Sequence, residues 1–205
     1  MAYFKYGQVE IDYLVRSDSV LGEFINQIGF IERTMELDPF RSLVVSIIGQ
    51  QISSKAADTV FNRLLRAVES ITPHNIMIAH NLNEIGIPKR KVEYIRGIAS
   101  AFLSGSFAVN ELDDLSDDEV IKRLVSLPGI GKWSAEMFMI FSLQRKNILS
   151  WGDFGIKKGI SALYSENTFN PETFTLYKSK YSPYASIASF YLWEAAKDPR
   201  QSSSV

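Results

Sequence analysis

The chain has 205 residues, 46% hydrophobic and 22% charged, which is enough for one domain with a real core and too apolar for a largely disordered protein. Its 22 Lys and Arg nearly balance 23 Asp and Glu, so a polybasic binder is excluded while a local basic face is not. With no Cys there are no disulfides, thiolate zinc sites, iron–sulfur clusters or Cys nucleophile. No apolar run reaches the ~20 residues of a membrane span, and Met1–Glu10 lacks the apolar segment of a signal peptide, so an intracellular chain with no membrane partner is expected.

The opening residues are short and aromatic, and extended at most. Asp38-Pro39 then sets a capping side chain before a proline, as do Thr72-Pro73, Asn170-Pro171 and Ser182-Pro183. The cap oxygen takes a free backbone N–H, and proline at the first helical position has no donor to leave unsatisfied. Four such starts predict an all-α fold. Phe40, Leu43, Val44, Ile47 and Ile48 form one helical stripe, and Ala57, Val60, Phe61, Leu64 and Leu65 a second. After Pro88, Lys89-Arg90-Lys91 opens a helix bearing Val92, Ile95, Ile98, Ala99 and Phe102.

The acidic run 111–119 reads as a loop and a helix N-terminus rather than a metal site, with Ser116 and Glu119 spaced as a capping box. Val120, Ile121, Leu124 and Val125 precede Pro128; residues 135–143 are apolar nearly all round and predict a central buried helix. A last helix is expected from Tyr184 to about Ala196, and 197–205 reads as a disordered tail. No strand alternation or internal repeat is visible, and His74 and His80 read as surface residues.

Between two of these helices stands Leu127-Pro128-Gly129-Ile130-Gly131-Lys132-Trp133-Ser134-Ala135. Such a turn aims backbone N–H groups outward at a helix N-terminus, beside Lys132, and suits a phosphate. Taken alone it reads rather as a plain glycine turn in an αα-hairpin. Three further segments change that balance. Leu149-Ser150-Trp151-Gly152-Asp153-Phe154-Gly155-Ile156-Lys157 follows the hairpin, with Asp153 22 positions after Gly131. Ser46-Ile47-Ile48-Gly49-Gln50-Gln51-Ile52-Ser53 and Pro183-Tyr184…Trp193 flank this core.

In this combination, spanning about residues 38–196, the chain resembles the helix-hairpin-helix DNA glycosylase superfamily of base-excision repair. The closing helix resembles its alkylbase branch, typified by bacterial 3-methyladenine DNA glycosylase II. The resemblance implies a single glycosylase unit, 1–205, of two interwoven helical lobes. The hairpin would occupy 119–143, the catalytic loop 149–157, and the active site a cleft between the lobes. Trp133 stands where glycosylase–lyases of the superfamily place a Schiff-base Lys, which implies a monofunctional enzyme that hydrolyses the N-glycosidic bond of alkylated purines. The implied partner is double-stranded DNA containing alkylated bases, bound by a monomer.

Residue roles follow from the same resemblance. Asp153 would stabilise positive charge developing on the sugar of a flipped nucleotide. Trp133 and Trp193, with Met137, Tyr184 and Tyr191 as weaker candidates, would form an electron-rich slot for a cationic base. Gln51 or Ile52 would fill the gap left in the duplex. Gly129, Gly131 and Lys132, with Lys89, Arg90 and Lys91, would hold backbone phosphates. No cofactor is required, and a monovalent cation (Na or K) is expected on the backbone carbonyls of Val125, Leu127 and Ile130. Two rivals remain: a non-catalytic helix-hairpin-helix DNA-binding module, and a glycosylase–lyase using Lys132.

Overall fold

Three of the four cap–proline pairs start helices as expected. Asp38, Thr72 and Asn170 accept the N–H of Arg41, Asn75 and Thr173, each three residues on. The structure, a computed structural model, describes residues 2–166 and 169–197. Among these, two-residue strands β1 (Ala2–Tyr3) and β2 (Thr34–Met35) pair antiparallel, Ala2 opposite Met35. The helices are α1 (Gln8–Ser17), α2 (Ser19–Ile28), α3 (Pro39–Gly49), α4 (Ser54–Val68), α5 (Pro73–Ile78), α6 (Lys89–Leu103), α7 (Asp117–Val125), α8 (Lys132–Phe141), α9 (Phe154–Tyr164), α10 (Pro171–Tyr181) and α11 (Ala185–Ala195). The all-α expectation stands, and among the described residues no helix is long and apolar enough to cross a membrane.

The chain divides into two compact units, and α8 carries it from one to the other. One unit is continuous, Glu36–Phe138. Here α3 packs on α4 and α6, and α5 on α6. The apolar stripe of α3 is wholly buried, and Phe40 meets Phe102 edge-on with ring centres 5.3 Å apart. The acidic run resolves into a 3-10 turn, Val109–Leu112, and the capped start of α7, where Glu119 reaches back to the Ser116 N–H at 2.9 Å.

The other unit joins both ends of the chain, Met1–Met35 with Met139–Val205. Helix α11 packs along α9 and against α2. Phe4 meets Phe190 of α11 edge-on at 5.1 Å. The buried Asp18 side chain caps α2 through the Leu21 N–H and accepts further bonds from the Tyr164 hydroxyl (2.8 Å) and Lys180 (3.1 Å). Burial alone would raise the Asp18 carboxyl; these donors outweigh it and hold the group below the usual carboxylate range.

Three details depart from the sequence reading. Ser182-Pro183 does not start a helix: Ser182 closes α10, giving its N–H to the Lys178 carbonyl, and α11 begins at Ala185. Helices α1 and α2 occupy a stretch in which no helix was expected, because their caps, Gly7 with Glu10 reaching back and Asp18, lack a following proline. Of the expected tail, Lys197 is ordered and ion-paired to Glu194, while 198–205 lie outside the described residues.

Candidate active site and nucleic-acid interface

The Leu149–Lys157 stretch ends in the first turn of α9, with Asp153 as its N-cap. The carboxylate is buried, at 6% exposure. Its Oδ1 accepts the Ile156 N–H at 2.8 Å and the indole N–H of Trp193 at 3.0 Å. Trp193 is held in turn by near-parallel stacking on Phe141, ring centres 5.8 Å apart. Gly155 makes the approach possible: a Cβ there would lie 2.8 Å from the Trp193 ring and 3.1 Å from Asp153 Oδ1. A cavity of about 440 Å³ opens here, lined by Phe141, Gly155 and Trp193 with Arg33 and Lys197. A carboxylate fixed by two donors cannot swing, so its charge has a set position and little reorganisation remains to be done during a reaction.

In the other unit the hairpin turn joins α7 to α8. The Leu127 carbonyl accepts the Ile130 N–H at 3.2 Å, and the Gly131 carbonyl accepts that of Ala135 to begin α8. The two glycines are needed for different reasons. Gly129 has φ +78°, and a Cβ on it would collide with the Tyr94 ring and lie 2.9 Å from Ile47. A Cβ on Gly131 would meet nothing within 4 Å. Gly129→Ala should therefore cost about 2–4 kcal/mol of stability. Gly131→Ala should unfold within ~0.5 kcal/mol of wild type and lose duplex affinity instead, because a methyl there blocks close approach to a phosphate. Thermal unfolding alongside duplex titration separates the two; equal stability losses would contradict this division.

The sequence matches the family model for HhH-GPD superfamily base excision DNA repair proteins over residues 44–181. The chain belongs to this superfamily. DNA-3-methyladenine glycosylase 1 of Schizosaccharomyces pombe is 32% identical over 173 residues, covering 80% of this chain and 76% of that protein. The structure of a DNA-3-methyladenine glycosidase from Bacillus halodurans superposes with a TM-score of 0.83 at 36% identity, covering 96% of this chain and 93% of that one. That of S. pombe 3-methyladenine DNA glycosylase, in complex with abasic DNA, gives 0.80 at 29% identity, covering 94% and 98%.

The remaining HhH-GPD candidates divide between the units. Trp133 and Met137 lie one turn apart on α8, Trp133 43% exposed and Met137 half-buried, with Lys132 exposed at the helix start. Gln51 and Ile52 project from the α3–α4 loop, Ile52 42% exposed and Gln51 in the left-handed region at φ +59°. Lys89 and Arg90 are exposed at the start of α6, and the Arg90 guanidinium lies over the Tyr94 ring and donates to its hydroxyl.

Two expectations need correction, and a third changes character. Tyr191 does not line the cavity beside Trp193: its ring is wholly buried and its hydroxyl donates to the Gly29 carbonyl at 3.1 Å. Lys91 is not presented to phosphates: its ammonium donates to the Ile48 and Gln50 carbonyls at 2.9 and 2.7 Å. Trp193 commits its N–H to Asp153, so its first task is to fix that carboxylate. Tyr184 is half-buried and packs edge-on against Tyr13, ring centres 5.2 Å apart.

Sequence reading also passed over two residues. Gln50 was seen only as part of a loop, yet its side-chain amide donates to the Gly129 carbonyl at 2.9 Å, a contact across 79 positions that no local pattern signals. Phe154 is 79% exposed directly after Asp153. An aromatic at the first position of a helix, where a polar residue serves as well, was the available signal.

Proposed function

We propose that this chain is a monofunctional DNA glycosylase that flips alkylated purines out of duplex DNA and hydrolyses their N-glycosidic bond. One observation carries the reading: a buried carboxylate, Asp153, fixed by the Ile156 N–H and the Trp193 indole at the start of α9. Alkylation of a ring nitrogen makes the purine a good leaving group and often a cation. Such a base needs little acid catalysis. It needs a negative charge near C1′, which Asp153 supplies as the sugar becomes oxocarbenium-like. Water then completes the hydrolysis.

The hairpin amides and Lys132 take a backbone phosphate, and Gln51 and Ile52 fill the vacated stack. The carbonyls of Val125, Leu127 and Ile130 are neutral oxygen donors of the kind that suits Na or K, and a cation there would stiffen the turn. The enzyme works as a monomer inside the cell, where its DNA is. The relatives' names favour 3-methyladenine as a substrate; 7-methylguanine is proposed with it because alkylation at a ring nitrogen makes it a cationic purine of the same kind.

The test is formation of abasic sites in methylated duplex DNA by the purified protein, with borohydride added in parallel. Abasic sites without a trapped adduct support the reading. A trapped adduct would make Lys132 a nucleophile, and binding without excision would leave only a DNA-binding module. Trp193→Phe tests the support of Asp153: the stack on Phe141 persists and one hydrogen bond to the carboxylate is lost. Single-turnover excision should fall by about tenfold or more with duplex affinity unchanged. Parallel losses in affinity and rate would instead indicate a damaged fold.

A further inference from the structure

Helix α3 ends at Gly49, and the last carbonyls of any helix lack partners within it. Lys91, from the first turn of α6, reaches across to supply them, donating to Ile48 and Gln50. Gln50 then turns its side chain to the Gly129 carbonyl of the hairpin, while the next residue, Gln51, takes a left-handed conformation that L-residues rarely adopt. Gln51 and Ile52 beyond it are exposed. Within the turn the Ile52 N–H makes only a long 3.5 Å bond to the Gly49 carbonyl. One half-buried ammonium therefore ties the base of the loop, while Gln51 and Ile52 at its tip are exposed.

We propose that Lys91 is a positioning residue that presets the Gln51–Ile52 loop in the shape that enters the duplex, and is not a ligand of DNA phosphate. This rests on the glycosylase reading for what the loop does, but not for how the loop is held. Burial pulls the pKa of the ammonium below the ordinary lysine range, in keeping with a cation served by carbonyls rather than water. A preset loop spends no binding energy on ordering itself while a base is being extruded.

The variant Lys91→Met keeps the aliphatic stem and deletes the donors; Lys91→Arg keeps a donor fork. In Lys91→Met, amide exchange in the peptide Gly49–Ser53 should quicken while α3 stays protected. The salt slope of affinity for undamaged duplex should match wild type. Excision of an alkylated purine from a duplex should fall by about tenfold. Excision from an unpaired bubble, where no stacking has to be broken, should fall by less than ~3-fold. Lys91→Arg should recover most of the duplex activity.

A salt slope lower by about one would make Lys91 a phosphate ligand and overturn the proposal. Equal losses on duplex and bubble would reduce it to general destabilisation, and unchanged exchange with unchanged excision would show that the loop does not depend on it. If wild-type protein excises neither substrate, the glycosylase reading fails, while the exchange and salt-slope measurements still decide the role of Lys91.

Discussion

Asp153→Asn should lower single-turnover excision of an alkylated purine by ~10²-fold or more, the scale for removing one well-placed electrostatic group. The substitution is clean because of how the side chain is held. An Asn Oδ1 can still accept the Ile156 N–H, now at 2.8 Å, and the Trp193 N–H, now at 3.0 Å. The cap of α9 and the seat of Trp193 therefore survive, while the negative charge is lost and Oδ2 gives way to an NH2. A charge that acts on the transition state contributes little to ground-state binding, so affinity for duplex containing an abasic analogue should stay within about a few-fold of wild type or improve. Pre-steady-state excision and equilibrium titration on the same preparation give both values. Near-wild-type excision by a folded Asp153→Asn protein would remove Asp153 from the mechanism.

The second large effect concerns stability. Gly159 lies in the middle of α9 where α11 crosses it, and a Cβ there would run into the Leu192 carbonyl oxygen, with the carbonyl carbon at 2.6 Å and Cα at 2.9 Å. All three are main-chain atoms of a helix that cannot step aside as a flexible side chain would. Gly159→Ala, one methyl group, should thus cost about 3 kcal/mol or more, roughly 6–12 °C in Tm for a protein of this size. The same substitution at an uncrowded helical glycine would be stabilising by helix propensity. Thermal unfolding decides; a Tm at or above wild type would mean that the two helices separate at little cost.

Helix positions were legible where local chemistry determined them. Asp38, Thr72 and Asn170 could be read because cap and proline are adjacent in the chain and act on backbone three residues away. Ser182-Pro183 misled because the same pair also suits the end of one helix and the linker to the next. Asp153 was legible through its spacing from the hairpin, but its partner was not: Trp193 lies 40 residues on, and only packing reveals where its N–H points. Tyr191 was misread because α11 is apolar all round, so its sequence does not say which face reaches a site and which reaches the core. Lys91 was misread because Lys89-Arg90-Lys91 looks like uniform basic charge, whereas the carbonyls that claim the third member lie 41 and 43 residues earlier.

The division of the chain also bears on its synthesis. Glu36–Phe138 is one uninterrupted stretch, so all of its helices are available to pack once Phe138 has left the ribosome. The unit that carries Asp153 is not available in this way. Its first segment, with α1, α2 and both strands, must wait for roughly a hundred intervening residues before Met139 onward arrives to join it. Contacts such as Phe4 with Phe190 and Arg33 with Glu194 are among the most distant in sequence and close last. During that interval Leu14, Leu21, Phe24 and Ile25, all buried in the finished fold, belong to an amphipathic arm without its partner. Trp193, near the end of α11, is the last of the site residues to be made, and until it arrives Asp153 has no indole to hold it.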